Sequence, residues 1–121
     1  MSEINFTDMN KMQLDLHKAH PSWGMPRPEI AKDTTLYMVE EIGEMVAILK
    51  KKGEDAILNN EIVRENFTTE MVDVLMYLNK LMLCFEITPQ EISDAFVKKH
   101  NYNLEREWQK QNDALYSQKP I

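Results

Sequence analysis

Cysteine is almost missing from this sequence. Cys84 stands alone, so no disulfide can close within the chain, and its setting in LMLCFEI is that of a small buried apolar residue rather than a redox centre. Glycine occurs only three times against nine methionines, a balance that argues against many short strands and tight turns and for long helices. No basic run exceeds Lys50-Lys51-Lys52 and the net charge is −6, which argues against a nucleic-acid or anionic-membrane surface, because both need concentrated lysine and arginine. No apolar run is long enough to span a bilayer, and MSEINFTDMNKM has no apolar signal core; a cytoplasmic protein is expected. What is present is material for a single all-α domain: 121 residues, 43% hydrophobic and 28% charged.

Apolar periodicity and breakers divide the chain into four helices. The first is predicted from about Asp8 to Ala19, capped by Thr7 or Asp8, with Met9, Met12, Leu16 and Ala19 as its apolar face and His20-Pro21 as its end. Three prolines and a glycine make Pro21 to Pro28 an ordered loop, which carries Trp23. The second helix is expected from Glu29 to Lys52, where three lysines meet the negative end of the dipole before Gly53; a short helix over Glu54 to Asn60 and a connection follow. The third, from about Thr68 to Phe85, is apolar nearly all round and so expected to be central and buried. Thr88-Pro89-Gln90-Glu91 is a capping box that opens the fourth, which runs to about Trp108. The core is placed at about 7–109 and a flexible tail at 110–121.

Carboxylates are the conspicuous chemistry. At about 100° per residue, Glu40, Glu41 and Glu44 share one face of the second helix, opposite Met38, Ile42, Met45 and Leu49. No lysine or arginine answers them one turn on: Glu40 meets Glu44, Glu41 meets Met45, and Glu44 meets Ala47 and Ile48. Alone, this would be a solvated acidic face. The third helix adds Glu70, Asp73, Tyr77 and Lys80 as a polar stripe on an element too apolar to face water. Carboxylates withdrawn from water cost several kcal/mol unless paired, and Lys80 cannot offset five of them; a divalent cation can. Oxygen-only donors suit Mg²⁺ or Mn²⁺, and Mg²⁺ commonly takes further ligands from substrate phosphates. A di-iron bundle would need Glu-x-x-His, and Leu14, His17 and Val97 stand three residues before His17, His20 and His100. His17 and His20 read as polar positions at a helix end.

Glu40-Glu41-x-x-Glu44 followed by Glu70-x-x-Asp73, on the second and third of four helices, resembles the MazG-like all-α nucleoside triphosphate pyrophosphohydrolase superfamily over roughly residues 36–106. The resemblance implies hydrolysis of a nucleoside triphosphate to the monophosphate and pyrophosphate. It implies Glu41, Glu44, Glu70 and Asp73 as Mg²⁺ ligands, with Glu40 holding a further ion or orienting the attacking water. Lys99, Asn103 and Arg106 match its phosphate-binding pattern on the last helix, where they could equally be a solvated basic face beside Glu105 and Glu107. Lys80 is a further phosphate candidate and Tyr77 a support for the ligands. Trp23 is a candidate for stacking on the base, or else a packing anchor.

Apolar surface on both acid-bearing helices, including Val39, Ile42 and Val46, exceeds what one small unit can hide, and a homodimer or homotetramer is expected. Two alternatives stand beside this reading. One keeps the superfamily but changes the substrate to dUTP or phosphoribosyl-ATP. The other is a non-catalytic acidic helical oligomer that binds a protein partner.

Overall fold

Asn5 opens the first helix. In the computed structural model, which describes residues 3–106, its side chain accepts from the Asp8 N–H at 2.8 Å while Asp8 accepts from the Asn5 N–H at 3.1 Å. This reciprocal pair satisfies two otherwise orphaned donors and starts α1 (Phe6–Ala19) before the predicted Asp8. Thr7 and Asp8 therefore lie in the first turn rather than at the cap. The segment predicted as a loop contains two single turns of 3-10 helix, Pro21–Trp23 and Pro28–Ile30, each begun by a proline whose missing N–H is not needed there.

α2 (Ala31–Asn59) contains both the predicted long helix and the short one after it, joined across a kink at Gly53. The kink needs φ +83°, which glycine adopts without steric penalty. α3 (Glu61–Cys84) begins well before the predicted Thr68, because Asn60 caps it by accepting from the N–H groups of Ile62 and Val63 at 3.1 Å each. The expected connection is thus helical, and α2 and α3 form a hairpin. α3 ends where expected: Glu86 takes a left-handed φ of 54°, and the Ile87 and Glu86 N–H groups return to the carbonyls of Met82 and Leu83. α4 (Pro89–Glu105) follows; its predicted end at Trp108 and the predicted flexible tail lie outside the described residues. All regular structure among the described residues is helical, and none of these helices is long and apolar enough to cross a membrane.

The chain clusters into two compact units, residues 1–89 and 90–121, the second described through α4. In the first unit α3 is the shared element, packed along α2 on one side and against α1 on another. Its interior is unusually polar. Among the described residues the buried hydrophobic side chains are Ala31, Met82 and Cys84, whereas Asn10, Gln13, His17, Thr34 and Asn79 are buried polar ones. The predicted apolar face of α1 is therefore displaced: Met12 and Ala19 are exposed, and the buried stripe is Asn10, Gln13 and His17, within an arc of about 60°. α3 is likewise less enclosed than expected, with Met71, Val72 and Met76 exposed.

Asn79 shows why a polar interior is tolerated. Its Oδ1 accepts from Asn10 Nδ2 at 2.6 Å, and its own Nδ2 donates to Leu75 O at 2.8 Å and meets Met9 Sδ at 3.5 Å. Bonded in this way, the pair fixes the register of α1 on α3. Asn79→Leu leaves Asn10 buried without its acceptor and is expected to cost about 2 kcal/mol in urea unfolding. Adding Asn10→Leu should return much of that loss; an additive second loss would refute the pairing.

Candidate metal centre

The α2–α3 hairpin runs the two helices past each other so that Tyr37 lies over Tyr77, ring centroids 6.1 Å apart. One turn further along α2 and one turn back along α3, the same pairing brings Glu41 to Asp73. Glu70, a turn before Asp73 on the same face, completes a group in which each residue offers a carboxylate oxygen within 4.8 Å of the other two. All three side chains are half-buried.

Two observations show that the protein alone does not satisfy this group. Glu70 Oε2 is buried and has no hydrogen-bond partner. The Glu41 carboxyl is raised to about 7, first by sharing a proton with Glu70, then by burial and by the negative fields of Asp73, Glu70 and Glu44. Among the described residues the one ion pair whose partners are both defined, Arg27 with Glu29, lies elsewhere. Tyr77 is also pushed up, chiefly by burial and then by Glu41 and Asp73, so its hydroxyl stays protonated beside the acids.

Glu41 and Asp73 line a cavity of about 580 Å³, a volume suited to a small organic ligand. Glu41, Asp73, Tyr37, Tyr77, Trp23 and Lys80 form one part of its wall. The rest comes from Gln13 and Leu16 on α1, from Ile30 just before α2, from Asp33 and Thr34 in its first turn, and from Met76 on α3.

Of the residues predicted from sequence, the structure unites Glu41, Glu70 and Asp73 and puts Tyr77, Lys80 and Trp23 around the same cavity. Glu44 is exposed and outside the three-residue group, although its charge acts on Glu41; Glu40 is exposed and its charge reaches Tyr77. Trp23 lines the cavity, stacks on His20 at 4.3 Å and meets His17 edge-on at 5.5 Å. Lys99, Asn103 and Arg106 belong to the second unit, where Lys99 Nζ lies 4.9 Å and the Arg106 guanidinium 5.7 Å from the centroid of the Tyr102 ring.

His17 stands in the last turn of α1, as the sequence indicates, but its enclosure was not foreseen: it is 1% exposed, with Nδ1 2.8 Å from Gly24 O and Nε2 3.2 Å from Gln13 Nε2. Gln13, Asp33 and Thr34 were also missed. Asn10, Gln13 and His17, at i, i+3 and i+7, repeat the polar spacing of Glu70, Asp73 and Tyr77, and that stripe was the available signal. No family model, curated protein or solved structure matches the chain.

The donor set fits a hard divalent cation: three convergent carboxylates, oxygen atoms only, and one buried oxygen with nothing to bind. Without metal, the folded protein holds the Glu41 proton up to about pH 7, whereas the unfolded chain releases it near 4.5, so the folded state binds more protons between those values. Stability of metal-free protein should therefore fall as pH rises from 4.5 to 7, and Glu41→Gln should flatten that slope in thermal melts. At pH 8, Mg²⁺ or Mn²⁺ should raise the melting temperature, and Glu41→Gln with Asp73→Asn should abolish the rise.

Proposed function

We propose that this chain is a Mg²⁺-dependent nucleotide pyrophosphohydrolase of MazG-like type, converting a nucleoside or deoxynucleoside triphosphate to its monophosphate and pyrophosphate. The observation that carries the reading is the meeting of Glu41 with Glu70 and Asp73, from two separate sequence motifs, at the edge of a cavity of nucleotide size. Glu41, Glu70 and Asp73 would hold the cation, with Glu44 next to them on the exposed side. When bound, Mg²⁺ supplies Lewis-acid neutralisation of phosphate oxygens.

The remaining roles belong to the chain itself. Glu40, exposed and one residue from the group, is the candidate for orienting water. Lys80, half-buried in the cavity wall, offers a cation to the phosphates, and the protonated Tyr77 offers a donor beside the carboxylates. Lys99, Asn103 and Arg106 keep the phosphate-binding part that the resemblance implies, and the geometry of α1 to α3 adds nothing to it. Tyr37, Tyr77 and Trp23 give the cavity flat apolar walls, suited to a base.

Assembly into a homodimer or homotetramer belongs to the same proposal. Val39, Ile42, Val46 and Leu49 follow the i, i+3, i+7, i+10 spacing of a coiled-coil seam, yet are 57%, 43%, 46% and 42% exposed. A second copy of this surface is the occupant that symmetric pairing supplies.

Pyrophosphate and monophosphate release should be measured over a panel of NTPs and dNTPs with Mg²⁺. At least one substrate should be turned over, and Asp73→Asn should lower kcat by about 10²-fold or more, the effect of losing several kcal/mol of metal-borne stabilisation. No monophosphate from any nucleotide would sink the hydrolase. Sedimentation gives the second test: Val39→Glu with Val46→Glu should shift the protein to monomer, and an unchanged sedimentation coefficient would exclude this seam.

A further inference from the structure

Beside the carboxylates the cavity has another polar group whose hydrogen bonds do not close. Gln13 lines the cavity while only 7% exposed, and His17, one turn on, dictates its orientation. Gly24 O can only accept, so the imidazole Nδ1 2.8 Å from it carries the proton and donates. In a neutral imidazole Nε2 is then an acceptor, and the Gln13 amide nitrogen 3.2 Å away donates to it. This leaves Gln13 Oε1 as an acceptor with no partner among the described residues. Trp23 packs edge-on against His17 and walls the same cavity, so the imidazole cannot turn without moving that wall.

Two neighbours have the same polarity. Thr34, almost fully buried, donates its hydroxyl proton to Ile30 O at 2.9 Å and keeps only lone pairs to offer the cavity. Asp33 lines the cavity with an acceptor-only carboxylate that forms no ion pair among the described residues. Acceptors from α1 and α2 thus line one cavity with the aromatic side chains of Trp23, Tyr37 and Tyr77. Facing a carbonyl oxygen, such acceptors leave lone pairs on both sides unsatisfied. An amino group offers two protons from one atom and can close two of them, whereas the single ring N–H of uracil or thymine is flanked by two carbonyls.

Resting on the hydrolase reading above, we propose that Gln13, positioned by His17, is the specificity-determining residue of this cavity, which selects nucleobases bearing an exocyclic amino group over oxo bases. A site built to bond an N–H rejects an analogue lacking it far more strongly than an apolar pocket rejects a change of size.

The test is kcat/KM for pyrophosphate release from CTP against UTP and from GTP against ITP, pairs that differ at the amino group. Wild type should favour CTP and GTP by about tenfold or more. Gln13→Met should collapse both ratios, and His17→Phe, which removes the acceptor that orients Gln13, should relax them. Equal ratios in wild type, or ratios untouched by Gln13→Met, overturn the proposal and leave the hydrolase standing. Ratios untouched by His17→Phe remove His17 from it. Release from none of the four sinks the hydrolase and this inference together. A measurement on wild type guards against variants that fail to fold: with Mg²⁺ present, CMP should shift the Gln13 side-chain amide resonances and UMP should not. Equal shifts from the two overturn the proposal.

Discussion

Three carboxylates drawn together between α2 and α3 set the terms for the rest of the structure. Like charges this close oppose one another, and the protein's own response is partial: Glu41 keeps a proton up to about pH 7 by sharing it with Glu70, while one Glu70 oxygen stays buried and unbonded. A fold that maximised its own stability would place lysine there or let the acids reach water. Holding them together instead is costly unless something positive arrives, and this is the usual mark of a site kept for binding.

The scaffold that imposes this arrangement is itself short of apolar interior. Few hydrophobic side chains are fully buried in the described chain, while an asparagine pair, a glutamine and a histidine are enclosed with their hydrogen bonds directed to one another. Such contacts are geometrically exacting and contribute register more than bulk stability. Asn10 with Asn79 locates α1 on α3, and His17 with Gly24 ties the end of α1 to the turn that carries Trp23. The cavity wall is therefore positioned by polar contacts, while large apolar surfaces on α2 and α3 stay exposed.

Much of this was legible before any coordinates. Unanswered glutamates on one helix and a polar stripe on an otherwise apolar one singled out Glu40, Glu41, Glu44, Glu70 and Asp73, of which the fold brings Glu41, Glu70 and Asp73 together, because charge without a counter-charge is visible in spacing alone. Helix boundaries were less so, for a local reason: Asn60 caps α3 through its own side chain, and that bond turns an expected connection into helix. The buried face of α1 was misread because periodicity was followed through its apolar residues, whereas partners far along the chain enclose its polar ones.

By itself the sequence determined that the chain is helical, where most of its breakers fall, and which acids lack a partner, since each depends on residues within a turn or two. Only the tertiary structure decided that Glu41 rather than Glu40 or Glu44 faces Glu70 and Asp73, that His17 is enclosed, and that Gln13 is left with an open acceptor beside the site. Those outcomes depend on how α2 and α1 are rotated against α3, and that rotation is settled by contacts between residues far apart in sequence.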